Sequence, residues 1–138
     1  MAKDVFHDNV RTALEKDGWK ITHDPYEFSV LGALFRIDLG LENLVGAEKD
    51  GQKIAVEIKS FIGKSLTYDF HTAMGQFVEY RLAMSVFEPD RVVFLAIPTD
   101  FYFGFFQQRP FYNLLLEKEN LKLAVYNSTT TEIELWIK

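Results

Sequence analysis

Residues 44–60, LVGAEKDGQKIAVEIKS, carry the strongest local signal in the sequence. Two apolar-rich runs flank Lys49–Gln52, and an Asp-Gly pair between alternating segments is a strong cue for a β-hairpin. Side chains two apart on a strand lie on the same face, so Glu57 and Lys59 are neighbours about 6.5–7 Å apart along the second strand. The stretch therefore predicts a hairpin that presents a carboxylate and an amine together.

This pairing of residue types suits metal-assisted hydrolysis of a phosphodiester. Carboxylates bind Mg²⁺ or Mn²⁺, because hard cations prefer oxygen ligands. Such a cation activates water and offsets the charge of the phosphate, and Lys59 adds a second positive charge beside it. The alternative is a solvated strand face, on which Glu57 and Lys59 form an exposed ion pair worth only ~0–1 kcal/mol.

A metal site needs a further carboxylate from the preceding strand, and the register of the hairpin decides which one. If Asp50–Gly51 is a two-residue loop, Glu42 lies opposite Lys59 and Leu44 lies opposite Glu57. A slip of one residue would move these side chains to the other face and spoil the alignment.

Three acids are candidates for that position. Asp38 precedes the hairpin and reaches the site if the segment after it bends, which Gly40 permits. We expect Asp38 to be the main metal ligand beside Glu57, with Glu42 close behind it and Glu48 third. The register leaves the choice between Asp38 and Glu42 open.

The rest of the chain alternates helical and extended patterns. Apolar residues at a 3.6-residue period predict helices over 3–17 and 67–87. The continuous apolar run 91–98 is typical of a strand that is covered on both faces. Further elements are predicted as strands over 19–22, 34–39, 121–127 and 131–137 and a short helix over 110–120. This order predicts a mixed α/β (α+β) sandwich.

Composition excludes several classes of protein. The 138 residues are 48% hydrophobic and 25% charged, so we expect one globular domain and no disordered or fibrous chain. With no cysteine, the chain lacks thiolate metal sites, iron–sulfur clusters and cysteine nucleophiles. No apolar run approaches the ~18 residues of a membrane span, and we expect a cytoplasmic protein. The net charge of −5 argues against a general nucleic-acid coat.

The three histidines, at 7, 23 and 71, are too scattered for a His-x-x-x-His zinc motif, and we expect structural roles for them. The alternative for His71, five residues before Gln76, is that it reaches the site, and His7 lies one turn before Arg11. The segment 101–106, FYFGFF, has five aromatic residues and either wraps the edge of the core or forms a homo-oligomer or partner contact. Base stacking by this segment is a third interpretation.

Six residues together resemble the motif of the PD-(D/E)XK nuclease superfamily, and the downstream pair is similar to that of its RecB-like branch. They are an acid on the first helix, an acid before the hairpin, Glu-x-Lys and a following Gln-x-x-x-Tyr: Glu15, Asp38, Glu57, Lys59, Gln76 and Tyr80. The stretches DGWKITHDPY, IDLGLENLVGAEKDGQKIAVEIKSF and DFHTAMGQFVEYRLAM resemble XisH proteins, excision controlling factors for the fdxN DNA element. This second resemblance runs from residue 3 to about 127.

The resemblance implies a single domain over 1–138 with a restriction-endonuclease-like core, a mixed β-sheet flanked by α-helices. It implies a role in DNA excision beside a recombinase and an XisI-like partner protein. In that scheme Glu57 and Asp38 bind Mg²⁺ or Mn²⁺ and Lys59 orients the water. Gln76 and Tyr80 position the substrate, and Glu15 holds the metal or a water from further out. The alternative is a catalytically silent module on the same scaffold that regulates a recombinase by binding it.

Overall fold

The structure, a computed structural model, describes residues 4–43 and 51–138. The elements in chain order are α1 (His7–Lys16), β1 (Lys20–His23), β2 (Tyr26–Val30), β3 (Ala33–Ile37), β4 (Leu39–Asn43), β5 (Gln52–Ile58), α2 (Leu66–Phe87), β6 (Arg91–Pro98), α3 (Thr99–Phe101), a π-helical segment (Tyr102–Phe106), α4 (Pro110–Lys118), β7 (Leu123–Asn127) and β8 (Glu132–Ile137). No helix in the described ranges is long and apolar enough to cross a membrane.

A six-stranded mixed sheet in the order β1-β4-β5-β6-β7-β8 forms the centre of the fold. Its three middle strands, β5, β6 and β7, are parallel, and the outer pairings are antiparallel. The strands β2 and β3 form a separate two-stranded sheet. The predicted mixed sheet with flanking helices is therefore confirmed.

Two apolar clusters cover the two faces of the sheet. One cluster contains Phe70 and Phe77 of α2, and the other contains Val10 and Leu14 of α1. Strand β6 contributes to both clusters, which explains why its sequence is apolar at nearly every position. Alternation along β5 places Ala55 in the cluster of α2, and Glu57 and Lys59, two and four residues on, belong to the same face.

Local sequence sets the ends of the two long helices. Gly18 follows α1 with a φ of +95°, a conformation that glycine adopts without strain. The side chain of Ser65 accepts a hydrogen bond from the N–H of Tyr68 and so caps the start of α2.

The predicted register of the hairpin is wrong. The structure pairs Asn43 with Gln52, whereas a two-residue loop at Asp50–Gly51 would place Asn43 opposite Ile58. Leu39 lies opposite Val56, and one further step along this ladder places Asp38 opposite Glu57. Gly40 is not needed as a bend: a Cβ at this position would overlap the ring of Tyr26, so glycine permits a close approach there.

The aromatic segment 101–106 wraps the core. Phe101, Tyr102 and Phe106 are buried, and Phe105 packs against the same cluster. Phe103 is the member that remains substantially exposed, at 43%. Most of the segment therefore serves the interior, and the aromatic surface available for a contact with another molecule is small.

A buried guanidinium ties three central strands together. Arg91, only 5% exposed, donates hydrogen bonds to the carbonyl oxygens of Leu41 on β4 and Ile54 on β5. Its Nε donates to Glu88 Oε1 at 2.7 Å, and the Tyr26 hydroxyl donates to the same oxygen at 2.5 Å. Because β4 and β5 also carry the predicted site, this network stabilises the frame of that site.

Glu88 gives the fold a defined acid sensitivity. Partial burial alone would raise the pKa of Glu88, but hydrogen bonds from Arg91 and Tyr26 outweigh that effect and lower it to about 2. The unfolded chain, with a glutamate pKa near ~4.3, takes up this proton first on acidification. The stability that Glu88 contributes is therefore complete above about pH 4.5 and is lost as the pH falls through 2.

Urea unfolding between pH 6 and pH 2 measures this contribution. We expect the Glu88→Gln variant to lose stability less steeply than the wild type below about pH 4.5. Glu117→Gln, at an exposed position of α4, is the matched control and should keep the wild-type slope. The same acid slope in Glu88→Gln and the wild type would contradict the assignment.

Candidate functional site

Asp38 and Glu57 meet where the chain passes from the two-stranded sheet into the six-stranded one. Asp38 is the single residue between β3 and β4, and Glu57 is the penultimate residue of β5. The N–H of Asp38 donates to Glu57 Oε1 at 3.2 Å, and the N–H of Ile58 donates to Asp38 Oδ2 at 2.7 Å. Each carboxylate is thus held by the backbone of the opposite strand, and the two face each other.

Lys59 completes the charged cluster. Its Nζ lies 3.5 Å from Glu57 Oε2. Its backbone is fixed at both polar groups, since its N–H donates to the Ala96 carbonyl at 2.9 Å and its carbonyl accepts from the Tyr126 hydroxyl at 2.8 Å. Lys59 lines a different cavity, of about 300 Å³, whose lining includes neither Asp38 nor Glu57. The cation is therefore anchored beside Glu57.

A cavity of about 450 Å³ opens over the two carboxylates. Side chains from α1, from α2 and from β3 of the two-stranded sheet line it. Its lining residues are His7, Asp24, Pro25, Leu34, Phe35, Arg36, Asp38, Glu57, Gln76, Glu79 and Tyr80. Four of the predicted site residues thus share one cavity, and Lys59 contacts one of them.

The electrostatics of the site reflect burial first and the closeness of two carboxyl groups second. Burial raises the pKa of Glu57, the negative charge of Asp38 raises it further, and Lys59 only partly opposes them, so that it reaches about 8. Burial also raises the pKa of the Tyr80 phenol, with additional contributions from Glu57 and Asp38. The carboxylate pair is therefore a place where a bound cation would relieve repulsion.

Gln76 and Tyr80 occupy one face of α2, a helical turn apart, as their spacing predicted. Tyr80 packs edge-on against Phe35, so one edge of its ring is held by the two-stranded sheet. The Gln76 Oε1 atom is buried and has no hydrogen-bond partner in the described part of the chain. A buried acceptor without a donor is costly, and a water or ligand in the cavity would satisfy it.

The structure does not bring the other predicted residues to this cavity. Glu42 lies opposite Lys53, four residues from Asp38, or ~13 Å along the strand, and its Oε1 is 3.8 Å from Arg91 Nη2. Glu15 is exposed and does not line the cavity, and neither does the exposed His71. Glu48 lies outside the described residues.

The donor set fits a cation that keeps much of its water. Within residues 4–43 and 51–138, no three His, Asp or Glu side chains converge on one ion. Asp38 and Glu57 therefore supply two carboxylates at most, which is the usual protein share for Mg²⁺ when phosphate oxygens and water complete its octahedron. The closed multi-ligand cage of a structural metal is absent from this region.

Comparison with known proteins identifies the family. The family model described as XisH protein matches residues 1–134 of this chain. The chain belongs to the XisH family. No curated protein is similar enough to count as a match.

Two crystal structures resemble this XisH-family chain over its whole length. An XisH family protein from Nostoc punctiforme PCC 73102 is 41% identical, with a TM-score of 0.88 over 98% of this chain and 100% of that one. A protein from Anabaena variabilis called an fdxN element excision controlling factor is 44% identical, with a TM-score of 0.87 over 99% of this chain and 100% of that one.

Sequence reasoning did not assign several of the polar residues that line the cavity to the site. His7 and Asp24 lie on one wall, and Arg36 and Glu79 lie on others. His7 was predicted to be structural. Its partner Asp24 is 17 residues away, so no helical or strand periodicity connects them. The stretch DGWKITHDPY, part of the family resemblance, contains Asp24 and was the available signal.

Proposed function

We propose that this XisH-family chain is a divalent-metal-dependent phosphodiesterase that cleaves DNA on a core of the PD-(D/E)XK type. One observation carries the proposal: Asp38 and Glu57 face each other in the wall of an open cavity, with Lys59 held 3.5 Å from Glu57. Two carboxylates can hold a divalent cation, and a nearby amine adds positive charge beside the phosphate, which suits metal-assisted phosphodiester hydrolysis.

Each residue has a role in this proposal. Asp38 and Glu57 would hold Mg²⁺ or Mn²⁺, and a bound cation would offset phosphate charge and make a coordinated water more acidic. The Lys59 ammonium would contact the phosphate, where negative charge develops. The amide of Gln76 and the phenol of Tyr80 would position a phosphate oxygen or water by hydrogen bonds.

The name of the Anabaena variabilis relative suggests the biological setting. We propose that this chain takes part in excision of a DNA element, together with a recombinase and an XisI-like partner protein. The acidic net charge of −5 is consistent with such shared work, since other subunits would supply the basic surface that holds DNA phosphates.

Nicking of supercoiled plasmid tests the activity. With Mg²⁺ or Mn²⁺ we expect the wild type to nick the plasmid, and with EDTA we expect no nicking. Lys59→Met keeps an unbranched side chain of nearly the same length and removes its charge, so we expect a rate roughly 10²–10³-fold lower, the usual effect of losing one stabilising donor.

Lys118→Met, at an exposed position of α4, is the control and should nick like the wild type. Nicking by Lys59→Met at the rate of the wild type would reject the assigned site. A folded wild type that nicks nothing with either metal would reject the enzymatic proposal.

A specific surface feature favours a second function, that of a regulatory binding module. Val78, Leu82 and Val86 follow one another at four-residue intervals on α2 and are 43%, 68% and 60% exposed. Such an apolar row on a helix whose other side is already buried is typical of protein-binding surfaces. A chain that binds an XisI-like partner tightly and lacks nuclease activity would be such a module.

A further inference from the structure

A histidine–carboxylate pair, His7 and Asp24, also lines the cavity. His7 begins α1, is 3% exposed and lines the same cavity as Asp38 and Glu57. Its Nε2 lies 2.8 Å from Asp24 Oδ1, and the other oxygen of Asp24 accepts a hydrogen bond from Arg11. The imidazole is therefore fixed in orientation by a carboxylate that is itself held.

The charge of Asp24 determines which ring nitrogen of His7 carries the proton. Burial alone would raise the pKa of Asp24, but hydrogen bonds from Arg11 and His7 lower it, so Asp24 is ionised and only accepts. Nε2 of His7 must then be the donor. In the neutral ring Nδ1 holds a lone pair, and this atom is buried without any hydrogen-bond partner in the described residues.

We propose that His7 is the general base of the hydrolysis proposed above, on which this inference rests. The oxygen of a water molecule forms a bond to phosphorus while the water gives one proton to His7 Nδ1. The bond from phosphorus to the leaving oxygen breaks, and that oxygen keeps the electron pair and takes a proton from solvent. Asp24 and Arg11 are positioning residues: Asp24 holds the ring through Nε2, and Arg11 holds Asp24.

Two other assignments for this chemistry fit the structure less well. Lys59 pairs with Glu57 at 3.5 Å, and an ammonium has no lone pair with which to accept a proton. Metal ligation by His7 is opposed by the geometry, because His7, Asp38 and Glu57 do not converge on one ion among the described residues. His7 lines the same cavity as the two carboxylates but does not form a three-residue cluster with them. This is the arrangement expected of a base that accepts a proton from a water molecule lying between His7 and the carboxylates.

The test compares His7→Gln with His71→Gln in the plasmid assay with Mn²⁺. His71 is an exposed histidine on α2 that does not line the cavity, and its variant should match the wild type. We expect His7→Gln to nick about 10²–10⁴-fold more slowly, the usual contribution of a general base. Calorimetry should show the same Mn²⁺ affinity in both variants and the wild type.

Chemical rescue separates proton transfer from a structural role. In His7→Ala we expect added imidazole to restore part of the lost rate, and thermal melting checks that the variant is folded. If the His7 variants do not fold, Asp24→Asn keeps the ring and removes the charge that fixes its tautomer. We then expect a rate about 10–100-fold lower with Mn²⁺ affinity unchanged.

Each outcome bears on a different claim. A wild type without nicking removes the proposed function and the role of His7 together. If the wild type nicks DNA and His7→Gln nicks it at the same rate, the role of His7 alone is overturned. Where His7→Gln is unfolded, a wild-type rate in Asp24→Asn has the same consequence. Loss of Mn²⁺ affinity in His7→Gln would make His7 a ligand, and a folded His7→Ala that imidazole does not rescue would make it structural; both overturn the base.

Discussion

Asp38→Asn should lose metal-dependent nicking of plasmid DNA, with a rate at least roughly 10³-fold below the wild type. The substitution removes one of the two carboxylates that face each other at the end of β5. A metal ion contributes several kcal/mol of transition-state stabilisation, and about 4 kcal/mol corresponds to a thousandfold change in rate. The measurement is the initial rate of nicking with saturating Mn²⁺.

The asparagine is chosen so that the fold survives. Asp38 Oδ2 accepts a hydrogen bond from the N–H of Ile58 at 2.7 Å, and an amide oxygen can accept the same bond. The melting temperature should therefore stay near that of the wild type. Asp90→Asn is the matched control, since Asp90 has a side chain that is 70% exposed, and it should nick normally. Nicking at the wild-type rate by a folded Asp38→Asn would refute the assignment of this carboxylate.

Arg91→Met should destabilise the protein by about 3–5 kcal/mol, the usual cost of removing one partner from a buried ion pair. The variant leaves Glu88 without its nearest cation and removes one donor from each of two carbonyls, those of Leu41 and Ile54. It also removes the guanidinium that stacks 4.7 Å from the centre of the Tyr26 ring. Urea or guanidinium unfolding measures the free energy of unfolding directly.

Two further variants test whether the loss of stability in Arg91→Met comes from the buried network. Arg81 is more exposed and donates its hydrogen bond to the Glu119 carbonyl, so Arg81→Met should cost only about 1 kcal/mol. The double substitution of Arg91 and Glu88 by Met should recover part of the loss, because it removes both charges of the pair. A loss below about 1 kcal/mol for Arg91→Met would show that the network does not stabilise the frame of the site.

The local spacing of the candidate residues was easier to predict from the sequence than their arrangement in space. Glu-x-Lys on a strand and Gln-x-x-x-Tyr on a helix depend only on local periodicity, and both pairs lie where that periodicity places them. The facing of Asp38 and Glu57 depends on the length of the connection between β4 and β5. The Asp-Gly pair suggested a tight turn, which predicted Leu44 opposite Glu57. The register of the structure instead places Asp38 opposite Glu57.

Contacts between distant parts of the chain were beyond sequence reasoning. His7, at the start of α1, contacts Asp24 between β1 and β2, and Arg91 contacts carbonyls of β4 and β5. Neither contact follows from the period of a helix or strand, because both depend on how the elements pack. The strand β2 was missed because Tyr26–Val30 follows Pro25 directly and is short.

Calorimetric titration of Mn²⁺ into the metal-free protein tests the central claim most directly. If Asp38 and Glu57 hold a divalent cation, the wild type binds Mn²⁺ at one site and Asp38→Asn loses most of that affinity. Equal binding by the two proteins, or no binding by a folded wild type, would contradict the claim.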